Sequence, residues 1–393
     1  MNFIFISPNY PHTYWQFCRR LKENGATVLG IGDAPYFGLS EELRETLTEY
    51  YYLDSLHDYE QVYRAVAFFA FKYGRIDWLE SNNEFWMEQD AMLRSDFNIR
   101  SGPGLNAVAA WRRRSVMRAA FQRAELPTPR GRVVQTPEEA REFVAEIGGY
   151  PVVAKPDAAW GAAVRVDNDT ELDAFFAERG EGSYIMEERL EGEICSYDTV
   201  TDSSGKPLFE SMTLWPASVI ELVHSDRDMG YFTCAAVPPQ VRSMGRKALT
   251  ALGVRRRFSH LRFLHVTKER PGSVPAGSWL ALDANMRPAD GYMTDVMDYA
   301  HSTDVYRIWA DMVTEDRRVL PDSGGHHWCA YAGRRDHHPY RYSHAQILGE
   351  YGDRLALCER TDESIPRYMG DQMYALHAYS EEEARNFIAF VHA

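Results

Sequence analysis

An apolar run, Trp279-Leu-Ala-Leu, passes directly into Asp283-Ala-Asn285-Met-Arg287-Pro288. Polar side chains at every second position fit a strand and not a helix, and residues two apart on a strand share one face. Asp283, Asn285 and Arg287 therefore converge on one small volume at the strand's far end. A carboxylate and an amide oxygen suit a hard cation such as Mg2+, which takes oxygen ligands and fills its other positions with water and phosphate oxygens. The guanidinium of Arg287 can hold a phosphoryl or carboxylate oxygen. Standing alone, the same stretch would equally suit a strand end with three solvated polar residues.

Two upstream segments carry complementary chemistry. Tyr150-Pro-Val-Val-Ala-Lys155-Pro156 reads as an apolar strand ending in a lysine, and it runs into the small-residue loop Asp157-Ala-Ala-Trp160-Gly161-Ala-Ala. The lysine is a point charge for polyphosphate, and a loop with little side-chain bulk lets backbone N–H groups approach the same anion. Farther on, Tyr184-Ile-Met-Glu187-Glu188-Arg189-Leu190-Glu191-Gly192-Glu193 is a strand that breaks into an acceptor-rich hinge. Backbone groups there can read an adenine edge, and a carboxylate can accept ribose hydroxyls.

In this order the three pieces resemble the ATP-grasp superfamily, most closely the branch that looks like biotin carboxylase and carbamoyl-phosphate synthetase. The resemblance covers most of the chain, including the helix-like segment Arg114 to Glu125. It implies an α/β protein with an α+β nucleotide fold: a Rossmann-like domain over 1–110, a lid over 111–192, a core over 193–320 with the metal site, and a small carboxy-terminal domain over 321–393. It implies ATP and Mg2+ as cofactors. By position, Lys155 and Arg114 would bind phosphates and Gly161 with its neighbours would cover the triphosphate. Glu187, Glu188, Leu190 and Glu193 are the hinge candidates for the nucleoside, and Asp283 and Asn285 would hold magnesium. The activity implied is ATP-dependent C–N ligation through an acyl phosphate, with Arg287 on the substrate carboxylate or the acyl phosphate.

The chain departs from that pattern where charge matters. The family's first metal-binding glutamate lies on a strand of the form Phe-His-hydrophobic-Glu-Phe, and here the segment is Phe258-Ser-His260-Leu-Arg262-Phe263. An arginine in place of a carboxylate shifts the local charge by two units, and at 4 Å each unit interacts by roughly 4 kcal/mol at an effective dielectric near 20. Two accounts stay open. Arg262 stands in for a metal ion and supplies fixed positive charge to the phosphates, or the chain is a non-catalytic or altered ATP-binding homologue. The second acid is shortened to Asp283, and Arg114 stands where the family has a lysine, which keeps the charge.

At 393 residues and 45 per cent hydrophobic, the chain has material for roughly two to four domains. A formal charge of -14 argues against a nucleic-acid partner. The partners expected are small carboxylate and amine substrates, with a homodimer left open. The five cysteines form no CxxC pair, and the start, Met1-Asn-Phe-Ile-Phe-Ile, reads as a first strand and not a leader, which together point to a cytoplasmic protein. The most apolar later run, Ala65 to Phe71, is far short of a membrane span.

Along the chain, Phe3–Ile6 and Thr27–Ile31 read as strands, and Tyr14–Asn24 and Tyr59–Tyr73 as helices, the alternation of a parallel sheet with crossovers. Thr136-Pro-Glu-Glu has the capping residue and early acids that start a helix. Ile194–Val200 and Pro207–Met212 read as a hairpin joined by Asp202-Ser-Ser-Gly205. The stretch His224 to Tyr231 has the polar, glycine-bearing character of either a mobile loop or an ordinary connection. One helix is expected after Asp290 through about Val313, with Val296, Tyr299 and Trp309 inward. His326-His327 and His337-His338 would each point to opposite faces of an extended segment, so no metal is expected at either.

Overall fold

The computed structural model describes the chain apart from residues 159–162, 180–181, 217–225, 290, 363–364 and 366. Gly161, the first residues of the 224–231 stretch and Asp290 thus lie outside the described residues.

The amino-terminal quarter follows its hydrophobic pattern. Strands β1 (Asn2–Ile6), β2 (Thr27–Gly32), β3 (Glu49–Tyr52) and β4 (Trp78–Glu80) form a parallel sheet in the order β3-β2-β1-β4. Alternate residues serve opposite faces. Ile4, Ile6, Leu29 and Ile31 pack with Val62, Val66 and Phe69 of helix α3 (Tyr59–Tyr73). Phe3, Phe5 and Val28 pack instead with Phe17 and Leu21 of α1 (Trp15–Glu23) and with the distant Trp309. Helix α2 (Glu41–Thr46) is capped by Ser40, and α3 by Asp58, whose side chain accepts from Glu60 and Gln61 N–H. Helices α4 (Met87–Asp96), α5 (Leu105–Arg112) and α6 (Arg114–Arg123) lead out of this unit.

A small antiparallel sheet follows, in the order β5-β8-β6-β7: β5 (Gly131–Val134), β6 (Val152–Pro156), β7 (Val164–Val166) and β8 (Tyr184–Glu188). Helix α7 (Pro137–Glu146) starts where Thr136 accepts from Glu139 N–H at 3.3 Å. With α8 (Asp169–Arg179) it covers one face, Phe143, Phe175 and Phe176 packing on Val152, Ala154 and Met186. Lys155 alternates with Ala154 and so occupies the uncovered face.

The rest of the chain builds one antiparallel eight-stranded sheet, in the order β13-β12-β9-β10-β11-β14-β16-β15. Its strands are β9 (Glu191–Thr201), β10 (Pro207–Trp215), β11 (Gly230–Thr233), β12 (Arg257–Lys268), β13 (Trp279–Asn285), β14 (Trp328–Arg334), β15 (Leu355–Arg360) and β16 (Gln372–Ala378). One face carries α9 (Pro239–Ala251) and α13 (Glu381–Val391), with Tyr197, Phe232, Phe263 and Phe387 in its core. The other carries α10 (Met293–His301) and α11 (Val305–Glu315), and through Trp309 it joins the amino-terminal sheet in one hydrophobic core. Helix α12 (His344–Tyr351) lies between β14 and β15 in the chain, with a capping box on Ser343 and Gln346.

Two expectations change. The stretch 321–393 does not build a layer of its own, because β14, β16 and β15 continue the central sheet. The single helix expected through Val313 is two helices, since Ser302 turns left-handed at φ 44° and Asp304 caps α11 by accepting from Arg307 N–H at 2.7 Å. Val296 and Trp309 are buried as expected. All five cysteines are unpaired, and no helix among the described residues is long and apolar enough to cross a membrane.

Candidate active site

Polar residues interrupt the apolar face of the central sheet where β9, β12 and β13 run side by side. The register pairs Arg262 with Asp283 and His260 with Asn285 across β12 and β13. Arg262 Nε donates to Asp283 Oδ1 at 2.6 Å and its Nη2 donates to the other oxygen, a bidentate pair. Asp283 is 7% exposed, so it sits at the base of the pair while the Arg262 side chain stays 35% exposed. Beside them His260 Nδ1 lies 2.7 Å from Asp198 Oδ1, whose second oxygen accepts from Ser196 Oγ at 2.6 Å. Asn285 makes no side-chain hydrogen bond among the described residues.

The electrostatics of Asp283 tie the small β5-β8-β6-β7 sheet to this one. Burial alone would raise its pKa, but the Arg262 guanidinium, with Lys155 and Arg114 adding to it, holds the carboxyl well below the usual carboxylate range. The charges of strand β6 and of a helix 169 positions away in sequence from Asp283 thus act on one carboxylate. Arg262 is held in its charged form first by Asp283; Glu84 adds to this and Arg287 opposes it.

Local structure explains the convergence. The turn after β6 is joined to the start of α6: Asp157 accepts from Ser115 N–H at 2.7 Å and from Ser115 Oγ at 2.8 Å, and Asp157 O accepts from Arg114 N–H at 2.9 Å. A carboxylate at a helix N-terminus is favoured by the orphan N–H groups and the helix dipole. Arg114 Nη1 donates to Pro156 O at 2.7 Å, next to the lysine strand. Lys155 Nζ lies 2.7 Å from Glu187 Oε2, and Arg118 Nη1 lies 3.4 Å from Glu187 Oε1.

The amino-terminal domain closes the third side. Arg257 Nε donates to Met286 O at 2.7 Å and its Nη2 to Glu80 Oε1 at 3.1 Å, with Arg94 Nη1 3.7 Å from Glu80 Oε2. This buried cluster binds the end of β4 to the exit of β13. It brings Glu84 to Arg287, Oε2 to Nε 3.3 Å, while Arg287 Nη1 donates to Pro288 O at 2.8 Å.

Of the candidates read from sequence, Lys155 and Arg114 act with Arg262 on Asp283, Glu187 holds Lys155, Asn285 lies in register with His260 beside that pair, and Arg287 acts on Arg262. The other hinge side chains are engaged elsewhere. Glu188 accepts from Arg130 N–H at 2.7 Å, Arg130 Nε at 2.8 Å and Ser273 Oγ at 2.9 Å, so its carboxylate braces the hinge. Glu193 pairs with Arg385 Nη2 at 2.8 Å, and Leu190 packs with Leu264, Val266 and Leu280.

Sequence reading missed Glu84, Asp198 and His260 as neighbours of the site. A signal existed for Glu84: Glu80-Ser-Asn-Asn-Glu84 follows the apolar end of a parallel strand, where open α/β sheets place their ligands. Asp198 offered none, since a lone acid in a strand shows no partner until the register is known.

No family model matches the chain. Over 97 residues it is 37% identical to the carbamoyl phosphate synthase large chain of Deinococcus radiodurans, covering 23% of this chain and 9% of that one. The matched stretch is therefore less than a tenth of the curated relative's length. Among solved structures, the L-amino acid ligase from Bacillus licheniformis superposes with a TM-score of 0.71 at 15% identity, covering 99% of this chain and 96% of that chain. The biotin carboxylase domain of Hydrogenobacter thermophilus 2-oxoglutarate carboxylase, solved with ADP, magnesium and bicarbonate, gives a TM-score of 0.71 at 15% identity over 98% of this chain and 88% of that chain. Identities this low speak for architecture alone, and in architecture, from the parallel amino-terminal sheet through the small antiparallel sheet to the eight-stranded one, the chain shares the fold of these two structures.

Proposed function

We propose that the chain is an ATP-dependent ligase that joins a small carboxylic or amino acid to an amine through an acyl phosphate. The observation that carries this is the meeting of Lys155, Arg114 and Arg262 around Asp283, three cations from three separate segments at the boundary of lid and floor. Transfer of a phosphoryl group needs positive charge held in place around the transferring oxygens and an acceptor aligned to attack. In the first step a carboxylate oxygen of the acceptor bonds to the γ-phosphorus and the bond to ADP breaks. In the second the amine nitrogen bonds to the acyl carbon, phosphate leaves, and the amine proton passes to solvent.

Lys155 and Arg114 hold the phosphates, and the lid sheet lowers onto them. When phosphate binds, Lys155 exchanges Glu187 for the anion, and Arg118 keeps Glu187 compensated. Arg287 orients the acceptor carboxylate. The donor set offers magnesium entering with ATP the amide of Asn285, which makes no side-chain hydrogen bond among the described residues, and the carboxylate of Asp283, which the ion would share with Arg262. It does not fit a second ion, because a guanidinium stands where the second carboxylate would be. Magnesium would neutralise phosphate charge there, and Arg262 adds fixed charge of its own.

Calorimetric titration of the purified chain with ATP and magnesium tests the nucleotide half, with Lys155→Ala expected to weaken binding by roughly tenfold to a hundredfold. Absence of binding by the unaltered chain would sink the proposal. Release of ADP and phosphate across a panel of carboxylic acids and amines tests the ligation half.

A second reading follows from the Arg262–Asp283 pair, which neutralises a carboxylate that the metal-dependent reaction uses. On that reading the chain binds ATP without turning it over. The same panel decides: nucleotide binding with no acid-dependent ADP release favours it.

A further inference from the structure

His337 and His338 follow each other in the chain, and on an extended segment their rings would face opposite ways. They lie instead in a turn after β14, where His338 N–H donates to Arg335 O at 3.1 Å, and their ring centroids stand 4.4 Å apart. Both reach Asp226, on the segment that leads into β11. Nε2 of His337 is 3.5 Å and Nε2 of His338 is 3.3 Å from the same oxygen, Asp226 Oδ2.

Those spacings have a chemical meaning. Nitrogen and oxygen ligands about 2.0–2.1 Å from a tetrahedral zinc ion are roughly 3.3–3.4 Å from one another. One ligand atom from each of the three residues lies within 4.8 Å of the others. His338 also has its other nitrogen, Nδ1, 3.0 Å from Asp228 Oδ1, and Asp228 accepts from Tyr340 OH at 2.8 Å. A neutral imidazole carries one N–H, so with a carboxylate at each nitrogen one contact lacks a proton. If Nδ1–H donates to Asp228, the lone pair of Nε2 faces Asp226, and a cation between them resolves the repulsion. A second carboxylate that holds the far side of a ligating histidine is the arrangement by which proteins orient such rings. Arg335 occupies the other Asp226 oxygen, Oδ1, and lies 3.9 Å from Asp228, so one guanidinium faces two carboxylates.

We propose that Asp226, His337 and His338 bind a borderline transition-metal ion, with Zn2+ the best match to two imidazoles and a carboxylate and a fourth position open to solvent. The site clasps the segment entering β11 to the turn leaving β14. Four strand steps separate β14 from β12, about 19 Å at 4.8 Å per step, so this ion stands apart from the cleft and does not depend on how the cleft is read.

The test is calorimetric titration of chelator-stripped protein with zinc chloride alone. The expected result is one ion bound at this site per chain, with affinity lowered about tenfold or more in Asp226→Asn, His337→Ala and His338→Ala. The double variant His326→Ala/His327→Ala, the other adjacent pair, keeps the wild-type affinity. Zinc raises the unfolding temperature of the wild type and not of the three site variants. Circular dichroism before titration confirms that each variant is folded, which the exposed positions of Asp226 and His337 and the part-exposed position of His338 permit. Zinc binding that is absent, or equal in wild type and Asp226→Asn, overturns the proposal.

Discussion

Arg262 and Asp283 face each other across β12 and β13, and the guanidinium takes both oxygens of the carboxylate. A buried acid on this sheet thereby has a counter-charge built into the chain. The pair also organises the floor, since Lys155 and Arg114 act on the same carboxylate.

Replacing Arg262 by alanine strands that acid. Removing one partner of a fully enclosed pair costs about 3–5 kcal/mol; with Arg262 a third exposed, the loss expected is about 2 kcal/mol in urea unfolding. Arg262→Lys recovers part of it, as a point charge replaces a fork. Because the folded-state pKa of Asp283 is depressed, the pair's contribution is full above the unfolded value of about 4 and fades as the pH falls below it. A gap between wild type and Arg262→Ala that widened in acid would contradict this account.

Glu80 and Arg257 lie 2% and 3% exposed at the junction of the amino-terminal domain and the floor. Glu80→Gln leaves Arg257 and Arg94 underpaired in the interior, and the expected loss is about 3–5 kcal/mol. Combined with Arg257→Met, the loss should be well below the sum of the two single changes. A double-mutant cycle by chemical denaturation reads this directly, and additive losses would show that the charges do not act as a unit.

His301 gives a pH dependence of opposite origin. Burial, with a smaller contribution from His326, lowers its pKa to about 4, and its Nε2 lies 2.9 Å from Ser211 Oγ. The unfolded chain binds this proton near pH 6.5 and the folded chain does not, so stability falls as the pH drops from about 6.5 to about 4. The slope due to this residue is at most about 1.4 kcal/mol per pH unit. His301→Gln should flatten it in pH-dependent unfolding; an unchanged slope would remove His301 as its source.

Gly245 lies inside α9, where alanine would ordinarily be favoured by about 1 kcal/mol. A Cβ there would come within 2.5 Å of Tyr197 Cδ1, on the strand beneath. Gly245→Ala is therefore expected to destabilise by about 1–3 kcal/mol through overpacking. Thermal unfolding decides the sign, and a gain would mean that the helix can lift off the sheet without loss.

The strongest local signals read correctly. The Tyr59–Tyr73 helix has the bounds its spacing implies, and Thr136 with Pro137 starts α7 as the capping pattern requires. Leu190 and Glu188 were legible as the break after a strand but not as side chains engaged by Leu264 and Arg130, because that depends on where Leu264 and Arg130 stand. The histidine pair at 337 and 338 was read as extended, and the turn closed by Arg335 O changed the direction of both rings.

By itself the sequence determined the short-range grammar: a strand bearing Asp283 and Asn285 at alternate positions, a strand ending in Lys155, and helices with their caps; Arg287, read on the same strand, falls in the bend beyond its end at Asn285. These depend on backbone periodicity and on hydrogen bonds within a few residues. Only the tertiary structure decided that Arg262 closes on Asp283 across 21 positions, that Glu84 reaches Arg287 across 203, and that the last strands extend the floor. Strand order and register set those distances, and both are chosen by the burial of whole faces against one another, a quantity that no short stretch of residues contains.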